Sequence, residues 1–396
     1  MKKKELLRIL HTIYSEKTAS QAGLAEKIQL APSNVSSMVA ELRRRGLVEE
    51  AGRSPSRAGR RRVLLRVKPS LGHLIGIRIG RANTRIVVTD FLGEVIRLKK
   101  IPTEIQKGEG HVFDLIDHEV RPILEHDRLL KGIGIAISGV VERATGSVLF
   151  WPKVPGWSDV PLQQIIQDKY GLPVVVEDSV RTLALAEEKF GAANGYSNFV
   201  YVVVSMGIGA AIYMNRQLYL GADDLAGELG HTTIEERGDL CSCGNRGCLE
   251  VYSSGWAIMN RVRAGLEQGV HSGLQKLIEK PTDRLTIEAI VAAAKARDQF
   301  AHTVLWEAGL HLGTGLATIV NLLNPEAIVL GGEVPRAAKS FILKPLFYAL
   351  RGRTFSRSAQ NLKITVSHLG GEAGAAGAAI LVAEKLLPGL LAGSKN

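Results

Sequence analysis

Cys241-Ser-Cys243-Gly-Asn-Arg-Gly-Cys248-Leu-Glu250 contains every cysteine of this 396-residue chain, and it begins ten residues after Gly227-Glu-Leu-Gly-His231. Three thiols within eight residues, with one imidazole close in sequence, supply four soft or borderline ligands. That is the set a structural zinc takes in tetrahedral geometry. Gly244 and Gly247 give the loop the freedom to turn Cys243 and Cys248 toward one centre. The expected metal ligands are therefore His231, Cys241, Cys243 and Cys248. Three unrelated buried cysteines are the bland alternative, and their clustering argues against it. A disulfide is opposed by the odd count and by two cysteines only two positions apart.

The rest of the composition is that of an ordinary globular protein, 45% apolar and 22% charged. The length predicts two or three domains with ample core. No apolar run reaches the roughly 18 residues that span a bilayer. Met1-Lys-Lys-Lys-Glu5 leads into an amphipathic pattern rather than the apolar stretch of a signal peptide. The expectation is a cytoplasmic protein with no membrane partner, in a reducing milieu that suits cysteines held as metal ligands.

The net charge of +11 is unevenly spread. Residues 1 to 68 hold 16 Lys and Arg against 6 Glu and no Asp, while the remainder is almost neutral. A small unit this basic is most simply explained by nucleic acid. Leu6, Leu7, Leu10 and Ile13 space like one helix face. Ser20 precedes a short second helix, Gln21 to Ile28. Gln29-Leu-Ala is the turn, and a third helix starts at Pro32, a residue suited to a first turn. Val35, Val39 and Leu42 would face the core. Ser33, Asn34, Ser36 and Ser37 then fall on or near the outer face, where small polar side chains reach base edges or phosphates in a major groove. Strands from Gly46 and from Val63 flank a loop bearing Arg57, Arg60, Arg61 and Arg62, suited to phosphate or minor-groove contact. The pattern predicts a winged helix-turn-helix that binds double-stranded DNA. A helical bundle with a solvated basic face is the alternative.

Beyond residue 70 the pattern changes to buried strands ending in glycine. Gly72 to Gly80, Asn83 to Asp90, Gly132 to Gly139, Val174 to Asp178, Phe199 to Ser205 and Ala327 to Gly332 read as strands, with helical stretches between them. Two α/β lobes with glycines at strand ends suggest ligand binding in a cleft.

The body resembles the ROK family of sugar kinases and transcriptional repressors. The resemblance rests on Gly227 to His231, the cysteine block ending at Glu250, and Asn324-Pro-Glu-Ala-Ile-Val-Leu-Gly-Gly332. With the basic head, the whole chain resembles a ROK-type repressor. The implied fold class is α/β, an N-terminal winged helix-turn-helix followed by a two-lobed actin-like ATPase fold. The expected domains are 1–70, 71–183 completed by the C-terminal helix at about 380–396, and 184–379 with the zinc site.

Two departures from the family's kinases bear on function. Their first strand reads Gly-Ile-Asp-Ile-Gly-Gly-Thr, whereas this chain has Gly76-Ile-Arg78-Ile-Gly80-Arg81. Arg78 holds no magnesium, and Arg81 removes the close backbone approach that a glycine allows. The kinases' Val-Glu-Asn-Asp-Ala-Asn corresponds to Val176-Glu-Asp178-Ser179-Val-Arg181. Without a gap, Ser179 falls on the catalytic base, and a hydroxyl is no base at neutral pH without a group to activate it. A one-residue shift would place Asp178 there instead. The sugar side is better kept. By the resemblance Glu228, His231 and Glu250 contact sugar, and Asp178 stands where the family has a sugar-touching Asn. His231 would offer one ring nitrogen to zinc and the other to a ligand hydroxyl. A zinc that only staples the loop is the alternative. Trp157 is read either as a sugar-stacking ring or as core.

The reading is a DNA-binding transcriptional regulator, a repressor of sugar-metabolism genes, that is not an enzyme. It carries structural zinc, senses a small sugar or sugar derivative, and uses neither ATP nor magnesium. A homodimer or homotetramer would match a two-fold operator. An active ATP-dependent sugar kinase and a regulator controlled by a protein partner are the alternatives.

Overall fold

Leu6, Ile9, Leu10 and Ile13 share one face of α1 (Lys2–Ser15), and all four are buried. They start the head of a chain whose computed structural model describes residues 2–54, 61–151, 154, 156–278 and 285–392. A two-residue strand, β1 (Ala19–Ser20), runs into α2 (Gln21–Ile28), whose first turn is capped by the Ser20 hydroxyl accepting from Gly23 N–H at 3.2 Å. Gln29 closes α2 in the left-handed conformation, φ 54°. Pro32 then opens α3 (Pro32–Arg44), as a missing N–H is harmless in a first turn. Val35, Met38, Val39 and Leu42 are the buried stripe of α3. The hairpin β2 (Val48–Arg53) and β3 (Val63–Val67) follows, and the small sheet has the order β1-β3-β2.

The chain then builds two units, Met1–Thr182 with Gly371–Asn396, and Leu183–Gly370. The first contains the head and a five-stranded sheet. Its strands are β4 (His73–Ile79), β5 (Asn83–Thr89), β6 (Val95–Pro102), β7 (Leu130–Ile137) and, after the short strands β8 (Val140–Glu142), β9 (Ser147–Phe150) and β10 (Ser158–Val160), β11 (Val174–Asp178). The sheet order is β11-β7-β4-β5-β6, with β11, β7 and β4 parallel and β5 and β6 antiparallel. Ile75, Ile77, Ile133 and Ile135 point to one face and pack with the apolar stripes of α4 (Glu109–His126) and α5 (Leu162–Tyr170). The alternate residues face α13 (Ala373–Leu390). That helix is long and apolar enough to span a bilayer by composition, with mean hydropathy 1.4 over 18 residues. Glu384 and Lys385 interrupt it, so no unbroken apolar run reaches that length. α13 is instead a core helix, packed on β4 and β7.

α6 (Ser179–Phe190) leads into the second unit. Its sheet comprises β12 (Phe199–Val204), β13 (Ile208–Met214), β14 (Gln217–Tyr219), β15 (Ala327–Gly331) and β16 (Lys363–Val366), in the order β14-β13-β12-β15-β16. β12, β15 and β16 are parallel, and β13 and β14 are antiparallel additions. The core side is covered by α8 (Gly255–Glu267), α10 (Ile287–Lys295), α11 (Gln299–Leu323) and α12 (Glu333–Arg351). The short helices α7 (Glu250–Ser253) and α9 (Gln275–Ile278) complete the chain order.

Candidate metal centre and effector-contact residues

The cysteine loop is built by local backbone bonds. Cys241 N–H donates to Asn245 O at 2.7 Å and Gly244 N–H to Cys241 O at 3.0 Å, which folds the tip back on itself. Gly247 must be glycine, since φ is +68° and a Cβ would lie 1.6 Å from Glu235 O. A bridge between Thr233 and Cys248 brings the two ends of the segment together.

The result collects one ligand atom each from His231, Cys241, Cys243 and Cys248 within 4.8 Å of one another. Cys243 and Cys248 Sγ are 3.7 Å apart, and Cys241 Sγ is 3.6 Å from His231 Nδ1. Thiolates about 2.3 Å from one tetrahedral centre stand about 3.8 Å apart, so these spacings fit a shared ion. They do not fit a disulfide, whose sulfurs are about 2 Å apart. The thiols polarise in opposite senses. The Asn245 backbone N–H holds Cys243 below its usual range, while burial and the neighbouring thiols push Cys248 up to about 12. A cluster of thiols without a cation resists full ionisation, and a divalent cation removes that resistance. The donor set therefore fits zinc, held by all four residues.

Gly227 places the next two residues. Its φ is +110°, and a Cβ there would lie 2.1 Å from Ala210 O, so the loop lies directly on the β13 backbone. Ala210 N–H donates to Gly227 O at 2.9 Å. Glu228 is exposed and immediately precedes the short 3-10 turn that carries His231. With Nδ1 facing Cys241, the Nε2 atom of His231 lies on the other side of the ring. Glu250 opens α7 immediately after the cysteine loop, and its Oε2 accepts from Ile208 N–H at 2.9 Å. The structure thus anchors Glu250 to the strand that also supports Gly227. Spacing alone gave no sign of that bond, which joins residues 42 apart.

In the other unit, Asp178 ends β11, and its Oδ1 caps α6 by accepting from Val180 N–H at 2.8 Å and Arg181 N–H at 3.3 Å. Burial pushes its carboxyl up to about 6. Glu177 is fully buried, and its Oε1 accepts from Arg181 Nη1 at 3.0 Å and from Asp178 N–H at 2.9 Å. Ser179 is buried, with its hydroxyl 2.9 Å from that of Ser138. A second neutral hydroxyl does not make it a base. Arg78 faces Arg85 across β4 and β5 and packs over the start of α13, where a Cβ on Gly374 would lie 2.6 Å from its Cδ. Arg81 is exposed. Trp157 is 1% exposed, with Trp151 and Phe113 rings at 5.3 and 5.8 Å, so it is core and not a sugar-stacking surface.

In the head, Ser33, Asn34, Ser36 and Ser37 are all exposed, Ser33 and Ser37 opposite the buried stripe of α3 and Asn34 and Ser36 on its flanks. Arg61 and Arg62 are exposed at the start of the returning strand. Arg57 and Arg60 lie outside the described residues. Arg44 of the Arg43-Arg-Arg45 run is also exposed on α3 and pairs with Glu41 at 2.8 Å.

The comparisons with known proteins cover almost the whole chain. A profile of the ROK family matches residues 74–385, and one of the MarR family matches residues 4–63. The chain is 34% identical over 385 residues to the xylose repressor of Caldicellulosiruptor bescii, covering 96% of each protein. It is similar to the crystal structure of a ROK family transcriptional regulator described as a homologue of the E. coli MLC protein. There the TM-score is 0.81 at 30% identity, covering 99% of this chain and 98% of that one. The body is also similar to a ROK family glucokinase from Streptomyces griseus, solved with glucose and AMPPNP. That likeness has a TM-score of 0.67 at 30% identity and covers 78% of this chain and 99% of that one.

Proposed function

The chain belongs to the ROK family, and on that premise we propose that it is a transcriptional repressor of sugar-metabolism genes whose body senses a sugar or sugar derivative. The observation that carries the reading is the exposed polar face of α3 in a basic MarR-type head, on a body similar over its length to a sugar-named repressor. Residues 1–70 form the reading head. Residues 71–183, completed by the C-terminal helix, and residues 184–379 form the two lobes of the sensor. Ser33, Asn34, Ser36 and Ser37 meet the major groove, and Arg57, Arg60 and Arg61 meet phosphate or the minor groove. Zinc on His231, Cys241, Cys243 and Cys248 fixes the loop. Glu228, Glu250, Asp178 and the free Nε2 of His231 bind sugar hydroxyls. The protein acts in the cytoplasm as a homodimer or homotetramer on two-fold operators.

Gel shifts with the DNA upstream of its own gene test the reading. Deleting the head would strip Tyr14 from its partners Phe91 and Ile380 in the first unit, so substitution is the cleaner probe. Ser37→Glu should abolish binding, because a carboxylate at a phosphate-lined groove is repelled. Wild-type affinity should fall steeply with salt, and one of xylose, glucose, N-acetylglucosamine, N-acetylmannosamine or their phosphates should release the DNA. Salt-insensitive binding, or binding that survives Ser37→Glu, rejects the assignment of the head. Release that persists in Glu228→Ala rejects the sugar contact.

One observation favours a second reading, an ATP-dependent sugar kinase. Asp178 ends its strand with a carboxyl pushed up to about 6, and among the described residues its Oδ2 takes no hydrogen bond. A base with that affinity for protons suits a shifted register.

A further inference from the structure

Tyr14 is 1% exposed, and its hydroxyl donates not within the head but to Ile380 O of α13, at 3.4 Å across 366 residues of sequence. Its ring also meets Phe91 edge-on at 6.3 Å, and Phe91 N–H donates to Pro69 O at 3.1 Å. A second fastening lies at the other end of the head. Arg45, the residue that closes α3, donates through Nε to Glu41 Oε1 at 2.7 Å and through Nη1 to Leu391 O at 3.0 Å. Leu391 closes α13, so the guanidinium meets the negative end of that helix. The two fastenings are eleven residues apart on α13, about 16 Å along its axis. One contact would be a pivot, but two this far apart fix an angle.

The same helix is locked to the sheet by backbone contact. A Cβ at Gly134 of β7 would lie 1.9 Å from Ala378 O, and one at Gly377 would lie 1.8 Å from Thr182 O. Thr182 is fully buried in the first turn of α6, four residues after Asp178. No flexible side chain lies between α6 and α13 at that point, so a shift of one displaces the other.

We propose that α13 is a strut that sets the angle of the recognition helix α3, and that Tyr14 and Arg45 are the positioning residues that fasten the head to it. Effector contact at Asp178 reaches the head through Thr182, Gly377 and the two fastenings. This last step rests on the proposed sugar-sensing function, whereas the fixed angle does not.

The test uses the full-length protein as purified. The wild type first selects its half-site from random duplexes. Duplexes with two half-sites at every spacing over two helical turns are then compared by gel shift. A fixed head angle makes the wild type prefer one spacing by about 10-fold or more, within the ordinary range of coupling between sites. Tyr14→Phe and Arg45→Ala should flatten the preference to within about 2-fold while melting as the wild type does, and Arg45→Lys should restore part of it. A preference that survives both substitutions overturns the proposal, and so does a wild type with none. With the sugar that releases wild-type DNA, both variants should still bind sugar but no longer release. A wild type that no sugar releases defeats the sugar-sensing reading and leaves the spacing result to decide the strut.

Discussion

The cysteine loop and the β11–α6 corner gather comparable numbers of polar groups by opposite means. In the loop, four ligand atoms come within 4.8 Å of one another between residues 231 and 248, where the only helical element is a three-residue 3-10 turn. In the corner, Asp178, Glu177 and Arg181 are held by a strand end and the first turn of a twelve-residue helix. The loop is held by turn and bridge hydrogen bonds rather than by a long helix or strand, and an ion on its four ligands would tie those turns together. The corner is secured by a hydrogen-bonded helix and a buried ion pair. Rigidity that depends on an ion is removable, whereas rigidity from a capped helix is built into the chain.

The largest effect should come from breaking the loop. Metal analysis should give about one zinc per chain. Chelation, or Cys243→Ser, should destabilise the protein by several kcal/mol, below the roughly 10–16 kcal/mol that a structural zinc supplies in small domains. Unfolding curves with and without chelator measure this. A metal-free protein of unchanged stability would remove the contrast altogether.

Next in size is the chemistry of the corner. If Ser179 stands at the base position, a missing base alone lowers phosphoryl transfer about 100- to 10,000-fold. Arg78 in place of a metal-side acid lowers it further. An ADP-release assay with glucose, xylose, N-acetylglucosamine or N-acetylmannosamine should show no meaningful turnover. Turnover on the order of one per second, lost in Asp178→Asn, would instead establish the kinase reading and the shifted register.

The smallest effects sharpen the corner itself. Asp178→Ala removes the cap of α6 and should cost about 1 kcal/mol, while Asp178→Asn keeps a capping oxygen and costs less. The pH dependence has a definite sign. Folding raises this carboxyl from the usual 3.8 to about 6, so the folded state binds the proton more tightly. The contribution is fully present below the unfolded value and is lost as pH rises through about 6. Urea melts on either side of that window should show the fall in the wild type and its absence in Asp178→Asn. An identical slope in both would mean that another group carries it.

Legibility followed distance along the chain. The head was readable because each helix shows its own periodicity and Ser20 and Pro32 mark two starts. The metal set was readable because its four ligands fall within eighteen positions. The strands were readable from apolar runs ending in glycine. Ile9, three residues after Leu6 and four before Ile13, lies on the same helix face and is fully buried, which makes that face wider than Leu6, Leu10 and Ile13 alone define. Trp157 stayed undecided, since an aromatic in a Pro-rich loop suits a ligand surface or a core equally. Its burial against the Trp151 and Phe113 rings settles the matter.

The sequence by itself determined the elements, the basic head and the clustering of His231 with three cysteines, because those depend on stretches close along the chain. Tertiary structure alone decided the rest. It set the Ser138 hydroxyl beside Ser179 across 41 residues, Glu250 on the Ile208 amide across 42, and Tyr14 on Ile380 across 366. Such pairings follow from which backbones pack together, as where α13 lies directly on Gly134. That choice belongs to the folded core as a whole, and no local pattern encodes it.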